Sequence, residues 1–139
     1  MKWVIDASFV AALFLPDESS ERVSALANDL VKEELEAPSL LQLEISNLLI
    51  GAARRKRISH AQMRELSEAV EAMPIVYHPA LTLPQRTEVI RLAEKHILTA
   101  YDAAYLELAM RLGAGLLTLD KSLTRAATAE KINMPTGLN

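Results

Sequence analysis

The sequence predicts an α/β fold: a three-layer α/β/α sandwich around a central, mostly parallel sheet of four to five short strands, formed by a single domain over residues 1–139. Three observations carry that expectation. Short apolar runs such as Trp3-Val4-Ile5, Ile75-Val76-Tyr77 and Leu116-Leu117 alternate with longer stretches of helical periodicity. The first of these runs is apolar throughout, as in strands covered on both faces. Asp6 and Asp120 stand at the carboxyl ends of two such runs, where open α/β sheets bind their ligands.

Taken in order, residues 2–6 read as the first strand, and Ala7 to Leu15 as a short helix ended by Pro16. Ser19 or Ser20 caps a second helix that carries Val23, Leu26, Ala27, Leu30 and Val31 on one stripe. A short strand is expected around Leu35 to Ala37. Ser39 and Gln42 then have capping-box spacing, opening a helix to about Arg57. Ser59 and Gln62 repeat the box, and the helix they open reaches Met73 before Pro74. After a strand at Ile75 to Tyr77, helices are expected from Leu83 to His96 and from Thr99 to Leu112, where Gly113 stops the second. Leu116 to Leu119 returns to the sheet, Lys121 to Ala129 forms the last helix, and Ile132 to Met134 is a weak final strand. If the strands ending at Asp6 and Asp120 are neighbours, the two acids converge.

Composition narrows the function classes. A net charge of -3 gives no global basic field, so a nucleic-acid ligand needs local cationic patches or bound cations. The absence of cysteine removes disulfides, thiolate zinc sites and cysteine nucleophiles, and fits a cytoplasmic protein. His60, His78 and His96 lack the spacing of a histidine metal site. Asp6 interrupts the first apolar run too early for a signal peptide, and no run reaches the ~18 residues of a spanning helix, so neither export nor a membrane partner is expected. Neither G-x-G-x-x-G nor G-x-x-x-x-G-K occurs.

Four acids stand in apolar surroundings: Asp6, Glu44, Asp102 and Asp120. Each has a bland reading. Asp6 and Asp120 both precede helices and could serve as N-caps, worth ~1 kcal/mol each. Asp102 lies three residues after Thr99, which would make it the reciprocal arm of a capping box. Glu44 lies past the capping positions, and Leu40 and Leu48, four residues to either side, put it on an apolar face. A buried carboxylate must be paired, neutralised or metal-bound. Like charges gathered from separate elements would raise one another's pKa values unless a hard cation such as Mg²⁺ or Mn²⁺ neutralised them.

Four segments in this order resemble the PIN domains, and most closely the VapC-type toxins of toxin–antitoxin pairs: Val4-Ile5-Asp6-Ala7-Ser8, Leu43-Glu44-Ile45-Ser46-Asn47-Leu48-Leu49, Tyr101-Asp102-Ala103-Ala104-Tyr105-Leu106-Glu107-Leu108-Ala109 and Leu117-Thr118-Leu119-Asp120. Each is a short word of an acid plus apolar residues; together they span nearly the whole chain. The resemblance implies a metal-dependent endoribonuclease in which Asp6, Glu44, Asp102 and Asp120 bind one or two Mg²⁺ or Mn²⁺ ions and a metal-activated water leaves 3′-hydroxyl and 5′-phosphate ends. It implies that Ser8 and Thr118 support the acids or contact substrate phosphate, against local capping and a buried strand threonine as their plain readings. It further implies a type II toxin, a homodimer and a cognate VapB-type antitoxin. Leu123 stands where the family often has an aromatic residue.

Two other classes stay in view. A non-hydrolytic Mg²⁺-binding switch would normally carry an adjacent acid pair after the first strand, where this chain has Ala7 and Ser8; a dehalogenase-like phosphatase would have a second aspartate at Ser8. A pure interaction domain would use the acids only as scattered caps, whereas a metal site should bring three or more of the four carboxylates within one cation's reach. Arg54 to Arg57 either holds RNA phosphates or complements a helix dipole, and lies roughly 15 Å along the helix from Glu44. Glu107 reads as exposed, and Tyr101 and Tyr105 as core or interface.

Overall fold

Lys2–Ile5 forms strand β1, its Trp3, Val4 and Ile5 buried, as the unbroken apolar run requires. The computed structural model describes residues 1–16 and 20–136. Helix α1 follows at Ala7–Phe14, then α2 at Glu21–Asp29, a 3₁₀ turn at Leu30–Lys32 and β2 at Glu34–Pro38. The chain continues through α3 (Leu40–Arg54), α4 (His60–Glu71), β3 (Ile75–His78), α5 (Leu83–His96), α6 (Ala100–Leu112), β4 (Gly115–Leu117) and α7 (Lys121–Ala129). Ser20 caps α2 by accepting from Val23 N; the alternative cap, Ser19, lies outside the described residues.

The sheet has four strands, all pairs parallel, in the order β3-β2-β1-β4. The chain moves from β1 outward through β2 to β3 and returns on the other side of β1 as β4. The strand order therefore switches direction between β1 and β4, at the edge where Asp6 and Asp120 emerge. Helix α6 lies against β1, β2 and β4, with α5 and α7 packed on it, while α1 to α4 pack on one another, completing the α/β/α layers. The largest fully buried side chains, among them Phe9, Ile5, Leu41, Leu106 and Leu116, come from both helices and strands.

The Trp3 ring of β1 packs over residue 115 of β4 because that residue has no side chain. A Cβ on Gly115 would lie 2.4 Å from Cζ3 of Trp3 and 2.9 Å from the carbonyl oxygen of Asn133. Gly113 meets a different need: at φ 61° it ends α6 in the left-handed region and donates to Ala109 and Met110.

Some local expectations fail for identifiable reasons. Ile132 to Met134 is not a strand, because the N–H groups of Lys131 and Ile132 turn back to the carbonyls of Thr128 and Ala127 and close α7. Only the Asn133 carbonyl joins the sheet, accepting from Leu116 N at 3.0 Å. The Ser39–Gln42 box does not form either. Ser39 N is drawn to the His78 carbonyl at 3.2 Å, its backbone is already helical, and its side chain makes no cap. Helix α3 ends at Arg54, before the rest of the basic run, and Lys56 turns through φ 59°. The Ser59–Gln62 box does form, with both arms present. Glu107 is buried, not exposed, and accepts from Arg111 Nε at 2.8 Å one turn further along α6. Among the described residues no helix is long and apolar enough to cross a membrane.

Candidate active site

Because β1 and β4 are hydrogen-bonded neighbours, the residues just beyond them meet. Asp6 N donates to the Leu117 carbonyl at 3.1 Å, which fixes the end of β1 beside the end of β4. Asp6 is also the N-cap of α1: its Oδ1 accepts from Phe9 N at 3.0 Å and from the Ser8 hydroxyl at 2.7 Å. Its Oδ2 accepts a short hydrogen bond from the Thr118 hydroxyl. Ser8 Oγ in turn accepts from Leu119 N at 2.9 Å, and Thr118 Oγ1 from Asp120 N at 3.0 Å. The two hydroxyls thus lace the β1 end to the β4 end, and both hold the carboxylate of Asp6.

Asp120 caps α7 through Oδ1, which accepts from Leu123 N at 2.8 Å. Capping and convergence are therefore not alternatives for these two aspartates. Asp102 lies in the first turn of α6, where its N–H donates to Thr99 Oγ1 at 3.1 Å; the cap runs in this one direction, without the reciprocal arm. Glu44, half-buried on α3, accepts from the Tyr105 hydroxyl.

These four acids, from four separate places in the chain, line one cavity of about 280 Å³ together with Ala7, Ser8, Asn47, Leu48 and Tyr105. Among the described residues no lysine, arginine or histidine lines it. Burial and mutual repulsion act in the same direction on three of the carboxyls. Burial pushes Asp6 up to about 6 against the opposing hydrogen bonds from Thr118, Ser8 and Phe9, with a small added push from Asp102. Asp102 is raised by burial and then by Asp120, and Glu44 by burial and then by Asp102, partly offset by the Tyr105 hydroxyl. Burial first, and then the bond to Glu44, raise Tyr105 itself, which stays a neutral donor. Asp102 thus repels Asp6 and Glu44 and is itself repelled by Asp120.

The quartet lines a cavity wall without closing on one point. Among the described residues no group of three or more histidine, aspartate or glutamate side chains already stands as a cation site. The expected gathering of three or more carboxylates within one cation's reach is therefore not seen, although Mg²⁺ itself typically takes only one or two and keeps several waters. The donor set is all oxygen, anionic and free of competing cationic side chains, which fits a hard divalent ion.

A family model for the PIN domain matches residues 3–129. The chain belongs to the PIN-domain family. Within that family it is of the VapC type: it is 36% identical over 127 residues to ribonuclease VapC3 of Pyrobaculum aerophilum, a match covering 88% of this chain and 92% of the relative. The crystal structure of PAE2754 from Pyrobaculum aerophilum superposes with a TM-score of 0.67 at 27% identity, covering 91% of this chain and 84% of that one. VapBC2 from Rickettsia felis, solved bound to a DNA fragment from its promoter, shares the fold at a TM-score of 0.70 and 11% identity, over 97% of this chain and 98% of that one.

Two polar residues of the PIN-domain cavity lie outside the set expected from the sequence. Tyr105 and Asn47 follow Asp102 and Glu44 by three residues, so helical spacing alone brings each onto the cavity side of its acid. That spacing was the available signal, hidden by the apolar residues around both.

Proposed function

We propose that this PIN domain is a divalent-metal-dependent endoribonuclease acting in the cytoplasm as the toxin of a type II toxin–antitoxin pair, with Asp6, Glu44, Asp102 and Asp120 as ligands for Mg²⁺ or Mn²⁺. The observation that carries the reading is the single cavity lined by four carboxylates and no cationic side chain. A hard divalent ion supplies charge neutralisation at the scissile phosphate and a lowered pKa for the attacking water. The protein's own part is to hold the acids in place. Ser8 and Thr118 fix both oxygens of Asp6, and Tyr105 fixes Glu44 Oε1, so the ligands lose little freedom on binding. Asn47 adds an amide to the cavity wall that can meet a phosphate oxygen or a ribose hydroxyl.

The name of the Pyrobaculum relative supports an RNA substrate, and the VapBC2 assembly supports a VapB-type antitoxin as partner. A homodimer is proposed on the family resemblance alone. The alternative is a non-hydrolytic Mg²⁺-binding switch or interaction domain, which draws on the N-caps that Asp6 and Asp120 do make. It leaves Glu44 without a reason to sit beside Asp102. Incubating the purified protein with RNA pools and Mg²⁺ or Mn²⁺, alongside Asp6→Asn, separates the two. Cleavage by the wild type alone, abolished by excess chelator, is expected; equal activity in both proteins or persistence in chelator overturns the metal-nuclease reading.

A further inference from the structure

A second cavity, of about 320 Å³, adjoins the segment that follows β4. Thr118 and Leu119 line it, whereas Asp120, the next residue, lines the acid cavity. Its remaining wall includes Lys121 and Arg125, one turn apart on α7, and Met134. Both cations are exposed, and among the described residues neither joins an ion pair, whereas Arg91, Lys95 and Arg111 all do. Lys121 is the first residue of α7, where the helix dipole disfavours a cation. Neither stability nor a carboxylate partner accounts for the pair.

Resting on the ribonuclease reading above, we propose that Lys121 and Arg125 form a phosphate subsite that holds the RNA strand next to the scissile phosphate. A carboxylate-lined cavity in a protein of net charge -3 repels a polyanion, so the strand needs a local cationic contact to stay beside it. The α7 pair adjoins the acids through Thr118-Leu119-Asp120. The other basic run begins at the far end of α3, roughly 15 Å along that helix from Glu44. Leu119 and Met134 offer apolar surface to a base or ribose. The contacts are to backbone and carry no sequence information.

The test compares wild type with the Lys121→Gln/Arg125→Gln double variant, whose exposed positions leave the core intact; matching melting curves check this. A labelled pool of random-sequence single-stranded RNA is titrated in excess chelator across a series of salt concentrations. The double variant should show a log–log salt slope shallower by about 1.4, at roughly 0.7 per phosphate contact. Between about 50 and 200 mM salt the wild type should then lose about sevenfold more affinity than the variant. With Mn²⁺ present, KM for cleavage should rise while kcat holds. An unchanged slope, or no measurable binding by the wild type at low salt, overturns the subsite; an unchanged slope with lost binding of an acidic protein partner reassigns the pair to that partner. Salt-sensitive binding without any cleavage would remove the nuclease reading and keep the subsite, whereas cleavage with an unchanged slope would do the reverse.

Discussion

The Tyr105 hydroxyl donates a 2.5 Å hydrogen bond to Glu44 Oε1, joining α6 to α3 inside the acid cavity. Tyr105 is 1% exposed, so its ring is fixed by the core and its hydroxyl reaches the cavity from a rigid base. Glu44, by contrast, is on a helix whose neighbouring side chains Leu43 and Asn47 are exposed. The tyrosine therefore decides where the glutamate points.

Tyr105→Phe should keep the fold, since only one oxygen is removed from a buried ring, at ~1 kcal/mol of stability. Affinity for Mn²⁺, read by calorimetric titration, should fall about 10- to 100-fold, the usual effect of losing a group that orients a metal ligand. Unchanged Mn²⁺ affinity in a stable variant would show that Glu44 needs no such orientation.

Asp6 gives the metal-free protein an unusual pH dependence. Burial pushes its pKa from 3.8 up to about 6, so between those values the folded protein holds a proton that the unfolded chain has released. Stability then falls as pH rises through that window, by about 3 kcal/mol in all if Asp6 acted alone. Asp6→Asn removes the buried charge and keeps an acceptor for Phe9 N. In urea denaturation with chelator present, the variant should be more stable than wild type near pH 7, with the advantage shrinking toward pH 4. A constant difference across that range would mean that the carboxylate of Asp6 is not protonated in the folded state.

Much of this site was legible in the chain, and what was not has physical causes. Apolar runs ending in Asp6 and Asp120 placed both acids at the carboxyl ends of parallel strands, but that β1 and β4 are neighbours is a matter of strand order, which the runs do not encode. Tyr105 and Glu107 were illegible because α6 is buried on nearly all sides from Ala103 to Ala109. A helix without a polar face offers no phase from which to read where its polar side chains turn. Ile132 to Met134 misled for the opposite reason: the run is locally strand-like, and its chain direction is set by the closing turn of α7. The gap between four acids lining a cavity and three acids gathered at one point belongs to tertiary geometry, which spacing does not encode.

Divalent metal should stabilise the folded protein, because the four carboxylates come together only when the strands and helices that carry them are in place. At Mn²⁺ about 100 times its dissociation constant, unfolding should require about 2.7 kcal/mol more, visible as a raised Tm. The gain should shrink in Asp102→Asn, the acid whose charge raises both Asp6 and Glu44, and vanish with chelator. An equal rise for wild type and Asp102→Asn would place the ion elsewhere.

Gly115→Ala tests whether the spacing of β1 and β4 sets the site. The added methyl would sit 2.4 Å from the Trp3 ring and 2.9 Å from the Asn133 carbonyl, both closer than van der Waals contact allows. Trp3 is 8% exposed and flanked by the sheet, so the ring cannot simply swing away. Relief by separating β4 from β1 would carry Thr118 away from Asp6, which it holds by a hydrogen bond. The expected result is a loss of about 1–3 kcal/mol in chemical denaturation, the range for overpacking. Mn²⁺ affinity should weaken as well, although the substitution touches no acid. Trp3→Leu in the same chain removes the obstructing ring and should recover the affinity; if it restores stability without affinity, the strand spacing does not govern the carboxylates.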